Sequence, residues 1–249
     1  MRAFILAAGL GTRLRPFTLE HPKALVPVGG VPMLERVMLR LRSEGFDSVV
    51  INVHHFAGQI EEFLRANENF GMDVAISDER AQLLDTGGAL LHAMPLLIDR
   101  PDEPVLVHNV DILSDAPLRE VWQSHRQSGA MATLIVSPRD SSRRLGFGSD
   151  GELHGWVNLA DGTTRPSGYD PLREADRLLA FSGIHVITPR AMLAEMERQG
   201  REGAFSVIDF YLKAIDVAKV KSYESEALRL IDIGKPATLA QAESFFDLH

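Results

Sequence analysis

The sequence contains no cysteine, which excludes disulfide frameworks and thiolate metal sites and is typical of a reducing compartment. It also lacks an excess of basic residues, since 34 acidic side chains against 26 basic ones give a net charge of -8. Because binding to a phosphate backbone usually needs a basic face, we predict no nucleic-acid partner. The apolar run at the N-terminus is too short for a signal sequence or a membrane span. We therefore expect a cytoplasmic protein without a membrane partner.

The composition is that of an ordinary globular protein. Hydrophobic residues make up 45% of the chain and charged residues 24%, so a sizeable core can form. A length of 249 residues fits one large α/β domain, residues 1–249, and we divide it into halves at 1–137 and 138–249.

Short apolar runs alternate with segments of helical spacing over the first half of the chain. We predict strands at residues 3–7, 48–54, 72–77, 104–108 and 130–136. We predict helices between them at residues 32–44, 59–65, 88–98 and 117–127. This order implies parallel strands joined by crossover helices. It predicts a doubly wound, mostly parallel, Rossmann-like sheet with helices on both faces.

Residues 138–179 interrupt this pattern with many Gly, Pro, Asp, Arg and Ser residues. They contain a predicted hairpin in which Gly151 turns between residues 145–148 and 152–157. We interpret this stretch as an inserted lid or pocket wall. Regular elements return afterwards, with strands at 179–187 and near 228–231 and helices at 189–199, 206–217 and 236–246.

A glycine loop, residues 6–14, follows the first strand directly, where an open α/β sheet binds ligands at its carboxyl edge. Gly9 and Gly11 allow backbone N–H groups to approach phosphate oxygens closely, although an ordinary tight turn would use the same glycines. The loop lacks the G-x-G-x-x-G fingerprint of dinucleotide-binding folds, because the third position is Leu14. The chain also lacks the P-loop motif.

The loop and the segment after it resemble the sugar-phosphate nucleotidyltransferases, whose motif A-G-x-G-T-R-L-x-P-x-T precedes P-K-A/P-L-x-P-V. These motifs occupy residues 8–18 and 22–28 here. The nearest look-alikes are N-acetylmuramic acid 1-phosphate uridylyltransferases and mannose or heptose 1-phosphate guanylyltransferases. The resemblance makes residues 1–137 a nucleotide-binding half and residues 138–249 a sugar-binding half. It also implies nucleotide-binding roles for part of the loop, namely Leu6, Ala7, Ala8, Gly9, Gly11 and Thr12.

The same resemblance implies two catalytic cations. Arg13 would grip the phosphates and the departing pyrophosphate, and Lys23 would stabilise charge on the α-phosphate. These roles agree with the chemistry, because an in-line displacement at phosphorus depends on positioning and on neutralising oxygens. The attacking sugar phosphate is already an anion, so no general base is needed. The alternative is that both side chains belong to a solvated charged face.

Two carboxylates match the family's metal-binding motifs. Asp111 ends an Asn-Val-Asp segment that corresponds to G/N-x-D, and Asp232 lies in a segment that corresponds to D-V/I-G-T/K-P. The resemblance implies that they hold Mg²⁺ through oxygen ligands, with water and phosphate completing the shell. Taken singly, Asp111 could instead cap a helix and Asp232 could be a turn residue.

The resemblance further implies contacts to the base and the sugar. Gln82, Gly87, Gly88 and Asn109 are predicted to bind the nucleotide, although a helix N-terminal turn would also explain the two glycines. The predicted sugar-binding residues are Gly146, Asn158 and Gly183. The family's E-K-P motif, whose lysine holds the sugar phosphate, is absent between residues 157 and 181. Arg165 or Arg173 could replace that lysine.

Together these features predict Mg²⁺-dependent transfer of a nucleotidyl group from a nucleoside triphosphate, with UTP or GTP favoured, to a sugar 1-phosphate. A monomer or a homodimer is expected. One alternative is a catalytically silent nucleotide-sugar sensor, which would be expected to lose Arg13, Lys23, Asp111 or Asp232. Another is a cytidylyltransferase acting on phosphocholine. A dinucleotide-dependent oxidoreductase is disfavoured by the missing fingerprint.

Overall fold

The computed structural model describes residues 1–225, 227–234 and 236–243. The strands in chain order are β1 Arg2–Leu6, β2 Pro27–Val28, β3 Val31–Pro32, β4 Ser48–Val53, β5 Asp73–Asp78, β6 Val105–Asn109, β7 Ile112–Ser114, β8 Ala132–Ser137, β9 Arg143–Phe147, β10 Leu153–Asn158, β11 Thr164–Arg165, β12 Arg177–Ile187, β13 Val220–Glu224 and β14 Leu230–Asp232. The α-helices are α1 Met33–Ser43, α2 Ala57–Ala66, α3 Asp85–Leu97, α4 Leu118–Ser128, α5 Pro171–Glu174, α6 Pro189–Arg198, α7 Val207–Leu212 and α8 Pro236–Glu243. Residues 244–246 of the predicted closing helix lie outside the described residues.

The centre of the main sheet is parallel. β1 pairs with β4 on one side and with β6 on the other, and β4 continues to β5. Leu6 lies opposite Asn52 in β4 and opposite Asn109 in β6. The carboxyl ends of three strands therefore reach one edge of the sheet. Segments that follow these strands become neighbours in space, although they are distant in the sequence.

The long strand β12 joins this parallel sheet to the second half of the chain. It pairs antiparallel with β6, β8 and β9, and its register with β8 shifts between Phe181 and His185. The sheet then continues through the hairpin β9–β10, which turns at Gly151 with a φ of 76°. The predicted hairpin is thus present. The predicted fold class is confirmed as a mixed, mostly parallel α/β sheet.

Several elements differ from the sequence prediction, which did not include the short strands β2, β3, β7 and β11 or the one-turn helix α5. β13 is an additional strand parallel to β8, and the sequence gives little sign of it because only Val220 in it is buried. The helix predicted for residues 206–217 ends at Leu212. The chain continues in turns instead, with i→i+3 hydrogen bonds from Ala214 N to Tyr211 O and from Val217 N to Ala214 O.

Helices cover both faces of the sheet and enclose two cores. Leu34, Val37 and Leu41 are three and four residues apart on α1, so they form one apolar stripe, and all are buried with side chains of α2 and α4. The opposite core contains Leu90 of α3 and Phe210 of α7. Burial of each such side chain is worth about 1.5–3 kcal/mol. Among the described helices, none combines the length and apolar character needed to cross a membrane.

Candidate active site

A cavity of about 360 Å³ lies at the edge of the sheet where β1, β4 and β6 end. Its walls come from these strand ends, the glycine loop and the beginning of α3. The lining residues are Leu6, Ala8, Gly9, Lys23, Asn52, Glu79, Leu83, Asp85, Thr86, Asn109, Val110, Asp111 and Ala204. A cleft with apolar walls and a few convergent polar groups is the usual form of a small-molecule site.

The glycine loop is folded tightly against the segment that carries Lys23. Gly11 has a φ of 60°, and a Cβ atom there would lie 2.9 Å from Lys23 Cβ and from Thr18 Cγ2. The Thr18 hydroxyl donates a hydrogen bond of 2.8 Å to the Gly11 carbonyl. Only glycine satisfies both the left-handed backbone and this close contact. The loop therefore fixes the position of the Lys23 backbone.

A buried asparagine holds the start of the loop from behind. The Asn52 Oδ1 accepts hydrogen bonds from Ala7 N at 2.6 Å and Ala8 N at 3.3 Å, while its Nδ2 donates to Glu79 Oε1 at 2.7 Å. Asn52 lies near the end of β4, so the strand itself sets its position. Two N–H groups of the loop are thereby satisfied by protein and are not available to a ligand.

Glu79 extends this network to the next wall of the cavity. Its other oxygen accepts a hydrogen bond from Leu84 N at 3.3 Å, immediately before α3. Burial raises the pKa of the Glu79 carboxyl, against the opposing effect of the Asn52 hydrogen bond. Asp85 follows with a φ of 56°, a conformation that is uncommon for a non-glycine residue and that recurs at functional sites. The network thus connects the glycine loop to a strained turn in the cavity wall.

Lys23 and Asp111 form an ion pair inside the cavity. Lys23 begins a short 3₁₀ turn after Pro22, and Asp111 follows the end of β6. The Lys23 ammonium donates a hydrogen bond to Asp111 Oδ2, and each side chain is only 15% exposed. A partly buried cation and anion are therefore already placed together at the carboxyl edge.

Asp232, near the C-terminal end of the chain, lies close to the Asp111 segment. β14 pairs antiparallel with β7, so that Ile233 N donates a 2.9 Å hydrogen bond to the carbonyl of Asp111. Asp232 Oδ1 accepts from Gly234 N at 2.7 Å. The Arg13 guanidinium packs against Gly234, with Nη2 2.5 Å from the position that a Cβ would take. Backbone pairing thus brings the Asp232 segment next to Asp111, and the Arg13 side chain packs beside them at Gly234.

Asp111 and Asp232 are the residues of this site that could hold a metal ion such as Mg²⁺. The two carboxylates offer hard oxygen ligands, and the described part of the chain holds no cluster of three or more His, Cys, Asp or Glu side chains that could bind a metal. Mg²⁺ is often held by one or two carboxylates together with water and substrate phosphates. A site of this kind would be completed only when a phosphate substrate binds.

Comparison with known proteins decides the family. The model of the nucleotidyl transferase family matches residues 2–152. An N-acetylmuramate alpha-1-phosphate uridylyltransferase from Caulobacter vibrioides is 32% identical to this chain, covering 97% of it and 95% of the Caulobacter protein. The chain belongs to the nucleotidyl transferase family. The resemblance inferred from the glycine loop is thereby confirmed, and the protein is an enzyme of this class.

This nucleotidyltransferase is also similar to a guanylyltransferase and to two solved structures. Mannose-1-phosphate guanylyltransferase 1 from Arabidopsis thaliana is 34% identical over 59% of this chain and 40% of its own length. Among solved structures, HddC from Yersinia pseudotuberculosis has a TM-score of 0.75 at 21% identity and covers 98% of this chain and 99% of its own. A UDP-glucose pyrophosphorylase complexed with UDP-glucose has a TM-score of 0.76 at 17% identity, with coverages of 99% and 98%. At such identities these two structures establish the fold alone.

The predicted nucleotide-binding residues of the nucleotidyltransferase fall into two groups. Leu6, Ala8, Gly9 and Asn109 line the cavity, as do the catalytic candidate Lys23 and the metal candidate Asp111. The remaining predicted residues of the loop, Ala7, Gly11 and Thr12, are close in the chain but do not form its walls.

The predicted base-binding segment is arranged differently from the expectation. Gln82 is exposed and does not line the cavity. Gly87 and Gly88 are buried, and their N–H groups donate to the Phe205 carbonyl at 2.8 and 3.2 Å. A Cβ at Gly87 would overlap the Phe205 ring, and one at Gly88 would overlap the Gly203 carbonyl. These glycines therefore permit close packing of α3 against residues 203–205.

Two of the three predicted sugar-binding residues are committed to other contacts. The space beside Gly146 is filled by the buried Tyr169, whose hydroxyl would overlap a Cβ at Gly146. Asn158 bonds within its own turn, donating to Asp161 Oδ2 at 2.7 Å and accepting from Ala160 N at 3.2 Å. The structure thus brings neither residue to the cavity.

The third predicted sugar-binding residue, Gly183, packs against Asn109, which lines the cavity. Gly183 has a φ of 82°, and a Cβ there would lie 2.9 Å from Asn109 Nδ2. It occupies the irregular part of β12, between Phe181 and His185. This bulge brings the second half of the chain against the end of β6.

Sequence reasoning missed four polar members of the cavity wall, Asn52, Glu79, Asp85 and Thr86. Asn52 carries a signal that could have been used, because it is a polar residue inside the apolar run of β4. A buried amide in such a run needs partners, and loops at the sheet edge supply them. Glu79 directly follows β5, and Asp85 and Thr86 begin α3, where no comparable pattern marks them.

Proposed function

We propose that the protein transfers a nucleotidyl group from a nucleoside triphosphate to a sugar 1-phosphate, forming a nucleotide sugar and pyrophosphate. The observation that carries this proposal is the Lys23–Asp111 pair in the cavity, with Asp232 and Arg13 beside it. These are the charged groups that an in-line displacement between two anionic phosphates needs.

UTP and N-acetylmuramic acid 1-phosphate are the favoured substrate pair. The Caulobacter relative with that activity in its name covers 97% of this chain, so it matches both halves. The Arabidopsis guanylyltransferase matches 59% of the chain. Because the acceptor is expected to bind in the second half, the relative that also matches this half is the better guide to the substrate.

Each charged residue then has a defined part in the reaction. An oxygen of the sugar phosphate attacks the α-phosphorus, the new P–O bond forms, and the bond to the bridging oxygen of pyrophosphate breaks. Lys23 would exchange Asp111 for a non-bridging oxygen of the α-phosphate, and Arg13 would hold the pyrophosphate as its charge grows. Asp111 and Asp232 would hold Mg²⁺, which draws the two phosphates together and offsets part of their repulsion.

The test is pyrophosphate release in the presence of Mg²⁺, with UTP, GTP, CTP, ATP and dTTP each combined with N-acetylmuramic acid, mannose, glucose and heptose 1-phosphates. Release that requires UTP and N-acetylmuramic acid 1-phosphate would support the proposal. Turnover with phosphocholine and CTP would replace it with the cytidylyltransferase alternative. No turnover with any pair, together with tight nucleotide-sugar binding by calorimetry, would favour the sensor.

Asp111→Asn tests the metal assignment. The amide keeps the shape of the side chain but loses the charge that Mg²⁺ and Lys23 require, so turnover should fall at least about 100-fold. The melting temperature should stay near that of the parent. Asp115→Asn is a matched control at a carboxylate that pairs with Arg229 and does not line the cavity. Undiminished turnover of Asp111→Asn at limiting Mg²⁺ would contradict the assignment.

A further inference from the structure

The sugar half of this chain needs a cation for the acceptor phosphate, and the two candidates from the sequence are directed elsewhere. Arg165 pairs with Asp209 at 2.5 Å and stacks over the Trp156 ring at 4.8 Å. Arg173 is 85% exposed and lies 3.4 Å from Asp170. Their bonds are to neighbours in the second half of the chain and not to Asp111 or Asp232.

Arg139, just after β8, is placed differently. Its Nη2 donates a 2.8 Å hydrogen bond to the carbonyl of Phe181, which anchors one edge of the guanidinium. Its Nε is buried without a hydrogen-bond partner, and Nη1 makes no hydrogen bond to the described residues. The guanidinium is therefore fixed in position while part of its donor capacity is unused.

The anchoring carbonyl connects Arg139 to the active site. Phe181 begins the bulge of β12, and two residues later Gly183 packs against the Asn109 side chain at the cavity. Arg139 is thus anchored to β12, the strand that joins the sugar half to the end of β6.

The electrostatic surroundings also favour an anionic ligand. Burial lowers the pKa of Arg139, and the charge of Asp232 raises it in opposition. A guanidinium nevertheless remains protonated in proteins, so this partly buried cation lies within the electrostatic range of Asp232, the carboxylate that is expected to bind Mg²⁺. Burying N–H donors that have no hydrogen-bond partner is unfavourable, and a bound anion would supply the missing acceptors.

We propose that Arg139 binds the phosphate of the sugar 1-phosphate and takes the place of the lysine that the missing E-K-P motif would supply. This inference rests on the proposed function. The planar guanidinium can donate two parallel hydrogen bonds to a phosphate, which both orients the attacking oxygen and reduces its repulsion from the triphosphate. Arg13 and Lys23 then serve the nucleotide, and Arg139 serves the acceptor.

The experiment compares Arg139→Gln and Arg139→Lys with the parent and with Arg173→Gln as the matched control. Initial rates are measured with UTP and N-acetylmuramic acid 1-phosphate, and UTP binding is measured by calorimetry. For Arg139→Gln we expect KM for the sugar phosphate to rise at least about tenfold, while Kd for UTP changes less than about twofold. Arg139→Lys should lie between Gln and the parent, since it keeps the charge but loses the planar fork. Arg173→Gln should match the parent.

A second readout separates phosphate binding from support of the β12 bulge. The parent should bind N-acetylmuramic acid 1-phosphate much more tightly than unphosphorylated N-acetylmuramic acid, measured as competing inhibitors. Arg139→Gln should lose most of this preference, whereas a purely structural role would weaken both inhibitors equally. If Arg139→Gln fails to fold, the same test is made with Arg139→Lys. Its KM for the sugar phosphate and its preference for the phosphorylated inhibitor then decide whether Arg139 binds the phosphate.

The outcomes distinguish this inference from the function on which it rests. An active parent with an unchanged KM and preference in the Arg139 variants would overturn the role of Arg139 alone. An equal rise in KM for the sugar phosphate and in Kd for UTP would also overturn it. A parent that turns over no sugar 1-phosphate with any nucleotide would overturn the proposed function, and this inference with it.

Discussion

Substitution of Asn52 should weaken both the fold and nucleotide binding. The side chain is 2% exposed and makes three hydrogen bonds, two from the glycine loop and one to the Glu79 carboxylate. Asn52→Ala would leave two N–H groups and one carboxylate oxygen without partners in a buried place. An unsatisfied buried group costs about 1–3 kcal/mol, so we expect a total loss of roughly 3–4 kcal/mol. In a protein of this size that corresponds to a decrease in melting temperature of roughly 10 °C.

The loss of nucleotide affinity in Asn52→Ala should result from a less ordered glycine loop. Once Ala7 and Ala8 are no longer held, the loop must be ordered at the expense of binding energy, and Kd for UTP should rise at least about tenfold, or 1.4 kcal/mol. Calorimetry and thermal melting measure the two effects. Asn67→Ala is the control, because Asn67 is exposed and donates one 2.8 Å hydrogen bond to the Phe63 carbonyl. An Asn52→Ala protein that melts within 2 °C of the parent, a margin of about 1 kcal/mol, would refute the reasoning.

Two further substitutions have matched controls in the chain. Gly11→Ala should lower UTP affinity and destabilise the protein by about 1–2 kcal/mol, because the residue has a φ of 60° and its Cβ would meet Lys23. Gly30→Ala, at a φ of 77° with open space around it, should show the backbone effect on stability without the loss of affinity, measured by calorimetry. His125 is hydrogen-bonded to two threonine hydroxyls, and burial lowers its pKa to about 4. It is therefore neutral in the folded state, and the stability that it contributes above pH 6.5 is lost as the pH falls through 4. His125→Asn should reduce the difference in unfolding free energy between pH 7 and pH 4 by up to about 3 kcal/mol in urea titrations, and His55→Asn, at an exposed histidine, is the control. If His125→Asn left the difference in unfolding free energy between pH 7 and pH 4 unchanged, the explanation for His125 would be wrong. Equal losses of UTP affinity in both glycine variants would contradict the explanation for Gly11.

Much of the first half could be predicted because its signals are local. The apolar runs of β1, β4 and β6 predict strands directly. Because these strands are parallel, the segments that follow them meet at one edge of the sheet. Asp111 could therefore be placed at the same edge as the glycine loop, whereas Lys23 is expected there only from the family resemblance. The structure pairs the two residues. β13 escaped prediction because four of its five side chains are only partly buried and leave no apolar run.

The sequence by itself determined the order of strands and helices, the glycine loop and the charged residues at the strand ends, because each depends on neighbours within a few positions. Only the tertiary structure decided which partner each group meets. It fills the space at Gly146 with Tyr169, packs Gly87 against Phe205, and sets Arg139 on the Phe181 carbonyl. These contacts join residues that are distant in the chain, and their geometry depends on how β12 crosses from one half to the other. No local pattern encodes that crossing, since it results from the packing of the whole sheet.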